Sequence, residues 1–494
     1  MVAEGDVQPA APAGDQTDLE QVRAAATGRW LLVVVSVLFL AVVTPVVLKG
    51  APLADDYHTC LRPVQDGSYG PFLRDSWREL GAVRPARFLE IAAIAGLCQR
   101  VPFGFVILIP LALKLAVAVV LRGLLRDLRL RPPWPEVGAA LWLLEPLGTE
   151  AALWPSALHI PLGLGLALGA LRLYRRGRLG WAALVTLGAC LCVEQVIFAF
   201  PLAVWLLVPP ERRRAAVAVA AAVVVVVVAV YATWPGADFR TAVPLAQRLG
   251  AFVVEPEWYL IFPAAGLGLH SGLHALLWAF PFSIGLLAVA VAAGARAGPA
   301  LLSGPPGPRL ERRAALRWGV GVAGLLALVN LPLIVTLPRG YTPRTFTPTW
   351  LVLDVVAVVV LARLRWRRPS LAGAAAGAFA AVALLSLTLS VWVRVETAEF
   401  TQASSRWLAE RVPAGGSVEV CAVPRNAVQP APVGAFALHE FHWEWAAQDA
   451  TRYYTGRELT VRRTGQYWPG PCPSPPKADA TMTFAELQRA SQGS

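Results

Sequence analysis

The sequence predicts an all-α polytopic membrane protein of about eleven transmembrane helices, with interfacial helices in its first outer loop and a small α/β extracytoplasmic appendage at the C-terminus. Three observations carry that expectation. Hydrophobic residues make up 56% of the 494 and charged residues 15%, against about 25% charged in soluble chains. Mean hydropathy is +0.54. Apolar stretches suited to a ~30 Å hydrocarbon core alternate with short arginine-rich loops. The net charge of +12 comes mostly from arginine clustered in those loops. Such a pattern sets orientation in a lipid bilayer and does not build a groove for nucleic acid, which is not expected as a partner.

In chain order, residues 1–28 lack an apolar core and read as a disordered cytoplasmic leader. Spanning helices are expected over 30–48, 101–121, 137–154, 156–171, 215–233, 275–295, 318–337, 349–362 and 371–393. The stretch 179–210 would run about 48 Å as one helix at 1.5 Å per residue, too long for the core. Splitting it at Glu194-Gln195 gives two short helices and the full count of eleven. Together these make a transmembrane domain over 29–393, with its first outer loop at 49–100.

The loops orient the bundle. Loops expected on the cytoplasmic side carry twenty arginines, from Arg122 to Arg368, whereas short loops on the other side carry Arg240, Arg248, Arg339 and Arg344 alone. Short-loop Lys and Arg are retained on the cytoplasmic face, so the protein is expected in the cell membrane with its N-terminus inside and C-terminus outside. Within the first outer loop, 88–98 is apolar but too short to span and fits an interfacial helix. A second outer region covers 234–274 and includes Trp258, Tyr259, His270 and His274. The tail 394–494 is polar and mixed, with a strand over 418–423, and forms the extracytoplasmic domain. Cys190 and Cys192 read as core thiols. The pairs Cys60/Cys98 and Cys421/Cys472 both fall outside the membrane, where disulfides persist.

Candidate chemistry centres on Asp55-Asp56, just past the first membrane helix. Adjacent carboxylates in a partly dry site cannot both ionise freely, so one suits a general base and the other a metal or hydrogen-bond anchor. Placed after a helix C-terminus they would oppose the macrodipole, which calls for a compensating cation such as Arg62, Arg84 or Arg87. Glu194 is the lone carboxylate at an apolar helix junction. Glu145, Glu150, Trp154 and His159 cluster around the outer ends of the third and fourth helices. Arg339 and Arg344, flanking Tyr341, sit against the orientation bias and could grip a lipid phosphate. Lys114 and Asp354 are the charges placed well inside helices. No cofactor motif is present; a divalent metal on the Asp pair with Glu194 is compatible with the residues but not established by them.

With Asp55-Asp56-Tyr57 after the first helix, Arg87 ahead of an interfacial segment and Glu194 at an outer junction, the chain resembles a polytopic glycosyltransferase of the GT-C superfamily. Protein O-mannosyltransferases and bacterial O-antigen glucosyltransferases are relatives of that kind. The likeness covers about 30–393. It implies a polyprenyl-phosphate sugar donor, an envelope glycan, lipid or protein acceptor, and Asp55 or Asp56 as the catalytic base. Substrate contacts would fall to Tyr57, Arg62, Arg84, Arg87, His159, Glu194, Tyr341 and Arg344. The donor would enter from the outer leaflet, and the acceptor hydroxyl would attack the anomeric carbon with inversion as phosphate leaves. The competing class is a transporter or flippase, which needs ionisable residues near the bilayer midplane and broken helices.

Overall fold

A computed structural model describes residues 14–52, 55–65, 69–77, 85–145, 149–233, 280–302, 312–336, 347–363, 368–421, 444–463, 480–483 and 486. The described chain is helical apart from one small sheet. Helix α1 (Gly14–Lys49) begins well inside the stretch expected to be a disordered leader. Gly50 closes it with φ +57 and an N–H to Val46 O bond of 3.0 Å, a left-handed cap suited to glycine. The first loop then folds as three short helices: α2 (Asp55–Gln65), α3 (Tyr69–Ser76) and α4 (Pro85–Cys98). A Cys60–Cys98 disulfide joins α2 to the end of α4.

Helix α5 (Phe103–Asp127) is followed by α6 (Trp134–Leu144), α7 (Thr149–Leu153), a 3-10 turn at Pro155–Ala157 and α8 (His159–Arg175). The continuous span expected over 137–154 is therefore not formed. Glu145 leaves α6 in an extended conformation, ψ 113, because Pro146 disfavours a helical residue before it. A helix of 11 residues is about 16 Å long, half a bilayer core. Its freed carbonyl is satisfied by Lys114, whose Nζ donates to Glu145 O at 3.1 Å. Lys114 is 1% exposed and lies over the rings of Phe39 and Trp142. Asp354 also acts electrostatically on this ammonium. The two charges that look isolated in the sequence thus share one buried site with Glu145.

Beyond it run α9 (Leu179–Cys192), α10 (Glu194–Leu207), α11 (Pro210–Thr233), α12 (Phe280–Leu302), α13 (Arg312–Thr336), α14 (Thr347–Leu361) and α15 (Pro369–Arg411). The break expected at Glu194 is present, with Val193 extended between α9 and α10. Four helical stretches among the described residues are long and apolar enough to cross a membrane: Val22–Lys49, Phe103–Asp127, Pro155–Arg175 and Pro210–Val230. The other apolar stretches are shorter. Helices α12 and α15 meet backbone to backbone. Gly294 and Gly298 face Gly373 and Gly377, and a Cβ at any of them would run into a carbonyl of the other helix. Small residues four apart are how apolar helices approach closely without a hydrophobic drive.

Helix α15 continues for 43 residues, straight through 393–394 and into the tail. There β1 (Ser417–Cys421), α16 (Glu444–Thr455), β2 (Thr460–Arg463) and β3 (Ala480–Thr483) form a parallel sheet ordered β2-β1-β3 with a helix on it. Val418 pairs with Val461 and with Ala480. Leu408, Val418, Val420, Ala447 and Val461 fill a small separate core. The strand expected over 418–423 is β1.

The two ends of the bundle differ. At one, Arg122 and Arg126 reach Glu136 Oε1 at 2.8 and 2.6 Å, and Arg172 reaches Asp127 at 2.7 Å. Arg175 donates to the carbonyls of Asp127 and Leu207, and Arg212 to that of Arg175. The arginines around three connections, after α5, α8 and α10, thus gather on one face. The opposite end holds the disulfide, the three loop helices and the start of α8.

Candidate active site

Asp55 and Asp56 open α2. They stand at the N-terminus of a new helix beyond the end of α1, so the macrodipole of α2 favours their charge. Asp56 is fully buried and its Oδ1 accepts a 3.0 Å bond from the Ser156 backbone N–H. It fastens α2 to the turn between α7 and α8, the anchoring half of the division expected for the pair. The side chains of Asp55, Arg62 and Glu150 lie outside the described residues, as do Arg84, Arg339, Tyr341 and Arg344 entirely. So do Trp258, Tyr259, His270, His274 and Cys472, with the side chain of Cys421.

Tyr57 is also fully buried, and what covers it comes from the far end of the chain. Its hydroxyl lies 3.0 Å from that of Tyr454, and its ring meets Tyr453 and Tyr454 edge-on at 5.4 and 5.8 Å. The adjacent His58 pairs with Asp449 at 3.1 Å. The tail helix α16 is thus docked on α2. Burial pushes the Tyr453 hydroxyl above its ordinary pKa, and the Asp56 carboxylate adds to that. Two further ties hold the same region. Gln99 donates to Cys60 O at 2.7 Å, and Lys49 pairs with Glu399 of α15 at 2.9 Å.

The second cluster lies beside the first, three residues along the chain from Ser156. On α4, Arg87 donates to Glu90 Oε1 at 3.2 Å, one turn away. The other oxygen, Oε2, is 2.7 Å from Nδ1 of His159, the first residue of α8. The Glu90 side chain is 3% exposed and that of His159 17%. The structure therefore brings Arg87 and His159 together through a carboxylate that sequence reading passes over. Its signal was there: Glu90 is the lone acid in Pro85–Cys98 and lies three residues after Arg87.

Glu194 opens α10, half-buried, where the helix N-terminus suits its charge. Cys190 and Cys192 are free thiols, and Cys192 lies near enough to Glu90 to feel its charge. Among the described residues no three His, Cys, Asp or Glu side chains are grouped to hold a metal ion. No family model, curated protein or solved structure matches the chain.

Proposed function

We propose that this chain is an integral-membrane glycosyltransferase of the GT-C kind, with about eleven spans. It moves a sugar from a polyprenyl-phosphate carrier to an envelope glycan, lipid or protein at the end of the bundle that bears the disulfide. That end faces the cell exterior and carries the tail as an extracytoplasmic domain. One observation carries the reading. The first loop is pinned to the bundle by a disulfide and by the Asp56–Ser156 bond, and beside those pins it presents a half-buried Arg87–Glu90–His159 constellation. Rigid placement of ionisable groups next to a lipid-facing bundle is what a reaction between a lipid-borne donor and a water-borne hydroxyl needs. An apolar cleft lined by Leu168, Phe200, Ala203, Trp318, Val322 and Val355 offers an isoprenoid chain a surface of its own polarity.

In this mechanism Asp56 anchors the loop. Arg84, Arg87 and Arg344 are the guanidiniums assigned to the lipid phosphate, and Tyr57 holds α2 against the tail helix. Departure of phosphate needs little help from a strong acid, so the demanding proton transfer is removal of the acceptor's hydroxyl proton. Asp55 is the carboxylate the acidic pair leaves for that task. The test is mass spectrometry of envelope glycans from cells with and without the protein: the account expects one sugar residue to disappear. Unchanged glycans would count against it.

One observation favours a second reading, a transporter or flippase. Lys114, Glu145 and Asp354 meet at the broken end of α6, the kind of mid-bundle charge cluster that carries ions or solutes. Altered solute uptake with intact glycans would support it.

A further inference from the structure

We infer that His159, its ring held by Glu90, is the group that takes the proton from the acceptor hydroxyl. The inference rests on the transferase reading and reassigns one step of it, from a carboxylate to an imidazole.

The argument is geometric. Glu90 is buried on α4, whose other charged residue, Arg87, donates to it at 3.2 Å, an ion pair in which Glu90 is the carboxylate. An ionised carboxylate only accepts hydrogen bonds. The hydrogen in the 2.7 Å contact to His159 must therefore sit on Nδ1. In the neutral ring the lone pair is then on Nε2, the one nitrogen left for a ligand. Burial is graded along the dyad, from 3% exposed at Glu90 to 17% at His159, so the deeper group orients and the shallower one remains reachable. A carboxylate fixing the tautomer and orientation of an imidazole is how a weak base is prepared for an alcohol.

By comparison Asp56 is poorly suited to this step: it is fully buried, and one oxygen is committed to the Ser156 N–H. His159 and Ser156 belong to the same short turn and helix start, so the anchor that fixes α2 also fixes the imidazole. The charged or titratable groups shown near the dyad are Arg87 and Glu90 on α4, Cys192 at the end of α9, and Asp56 on α2.

The step balances. Nε2 takes the proton as the acceptor O–H bond breaks, and the oxygen's electron pair forms the new bond to the anomeric carbon. The bond from that carbon to the phosphate oxygen breaks, and its electron pair leaves with the polyprenyl phosphate. The imidazolium then passes its proton to water or to the departing phosphate. Glu90 is a positioning residue, since it acts through the ring.

The experiment uses the full-length protein in membranes with a panel of radiolabelled polyprenyl-phosphate pentoses and hexoses, read as label transferred to envelope glycan. For the donor that wild type uses, His159→Gln should lower kcat by about 10²–10⁴-fold, with KM for donor little changed. The acidic limb of its pH–rate profile should vanish. Glu90→Gln should show a smaller loss that moves the same limb. Added imidazole should restore transfer to His159→Ala, a rescue that a folding defect would not allow. If His159→Gln keeps the wild-type rate and limb, or if Asp55→Asn removes the limb in its place, the assignment to His159 is overturned and the transferase reading stands. If wild type transfers from no donor in the panel, the transferase reading fails and takes this inference with it.

Discussion

The arginine end and the disulfide end of the bundle both concentrate charge, and they use it differently. At the arginine end each cation shown has a structural acceptor: Glu136, Asp127, or a carbonyl left over at the end of α8 or α10. Lys and Arg near a helix C-terminus stabilise its unpaired carbonyls. At the disulfide end the contacts chain together: Arg87 to Glu90 to His159, and Asp56 to the backbone three residues before that histidine. The first arrangement pairs its cations with structural acceptors; the second ends on a ring nitrogen for which no hydrogen bond is shown among the described residues.

Substitutions can break or sharpen that contrast. The largest effect is expected between the ends. Lys114→Met removes the cation that caps α6 and leaves Glu145 and Asp354 facing each other. Loss of one partner from a buried charge site costs about 3–5 kcal/mol, so the folded yield after detergent extraction should collapse. Reduction of Cys60–Cys98, or Cys60→Ser, opens a loop of sequence separation 38. Chain-entropy reasoning puts that at about 4 kcal/mol at most. A thermal melt should shift down and glycan transfer should fall with it, because this staple supports α4 and hence Glu90. Glu136→Ala at the arginine end should cost less than a fully buried pair, since Arg126 is 45% exposed and can turn to water. Here the melt should shift while transfer per folded molecule stays at the wild-type value. If Glu136→Ala instead lowered transfer per folded molecule, the division between ends would be wrong. The smallest effect is Tyr57→Phe, which removes the hydroxyl contact to Tyr454, worth about 1 kcal/mol. It should raise protease sensitivity in the tail before it changes the melt of the bundle.

Much of this was legible in the residues. Apolar length and arginine placement foretold a helical membrane chain, and the structure gathers the arginines around the connections after α5, α8 and α10 at one end. The junction at Glu194 and the strand near 418 also follow from local pattern, whereas the residues placed Cys60 and Cys98 in one outer region and left their pairing open. What was not legible depends on contacts distant in sequence. The break after Leu144 needs Pro146 together with Lys114 from another helix, and hydropathy across 137–154 is blind to it. The docking of α16 on α2 joins Tyr57 to Tyr454 across 397 positions, with no periodicity to announce it. The acidic pair was legible as a feature just past the first helix, but not the new helix that begins at Asp55 and reverses the sign of the dipole argument. Glu90 was hidden because an apolar window averages away a single charge.

The account depends most on the disulfide end facing the cell exterior. His58 lies on that end and is exposed, so His58→Cys in intact cells, treated with a membrane-impermeant maleimide against a wild-type background, reads its side directly. Labelling before lysis is the result expected. Labelling that appears only after the membrane is opened would place the Arg87–Glu90–His159 constellation inside the cell and contradict the account.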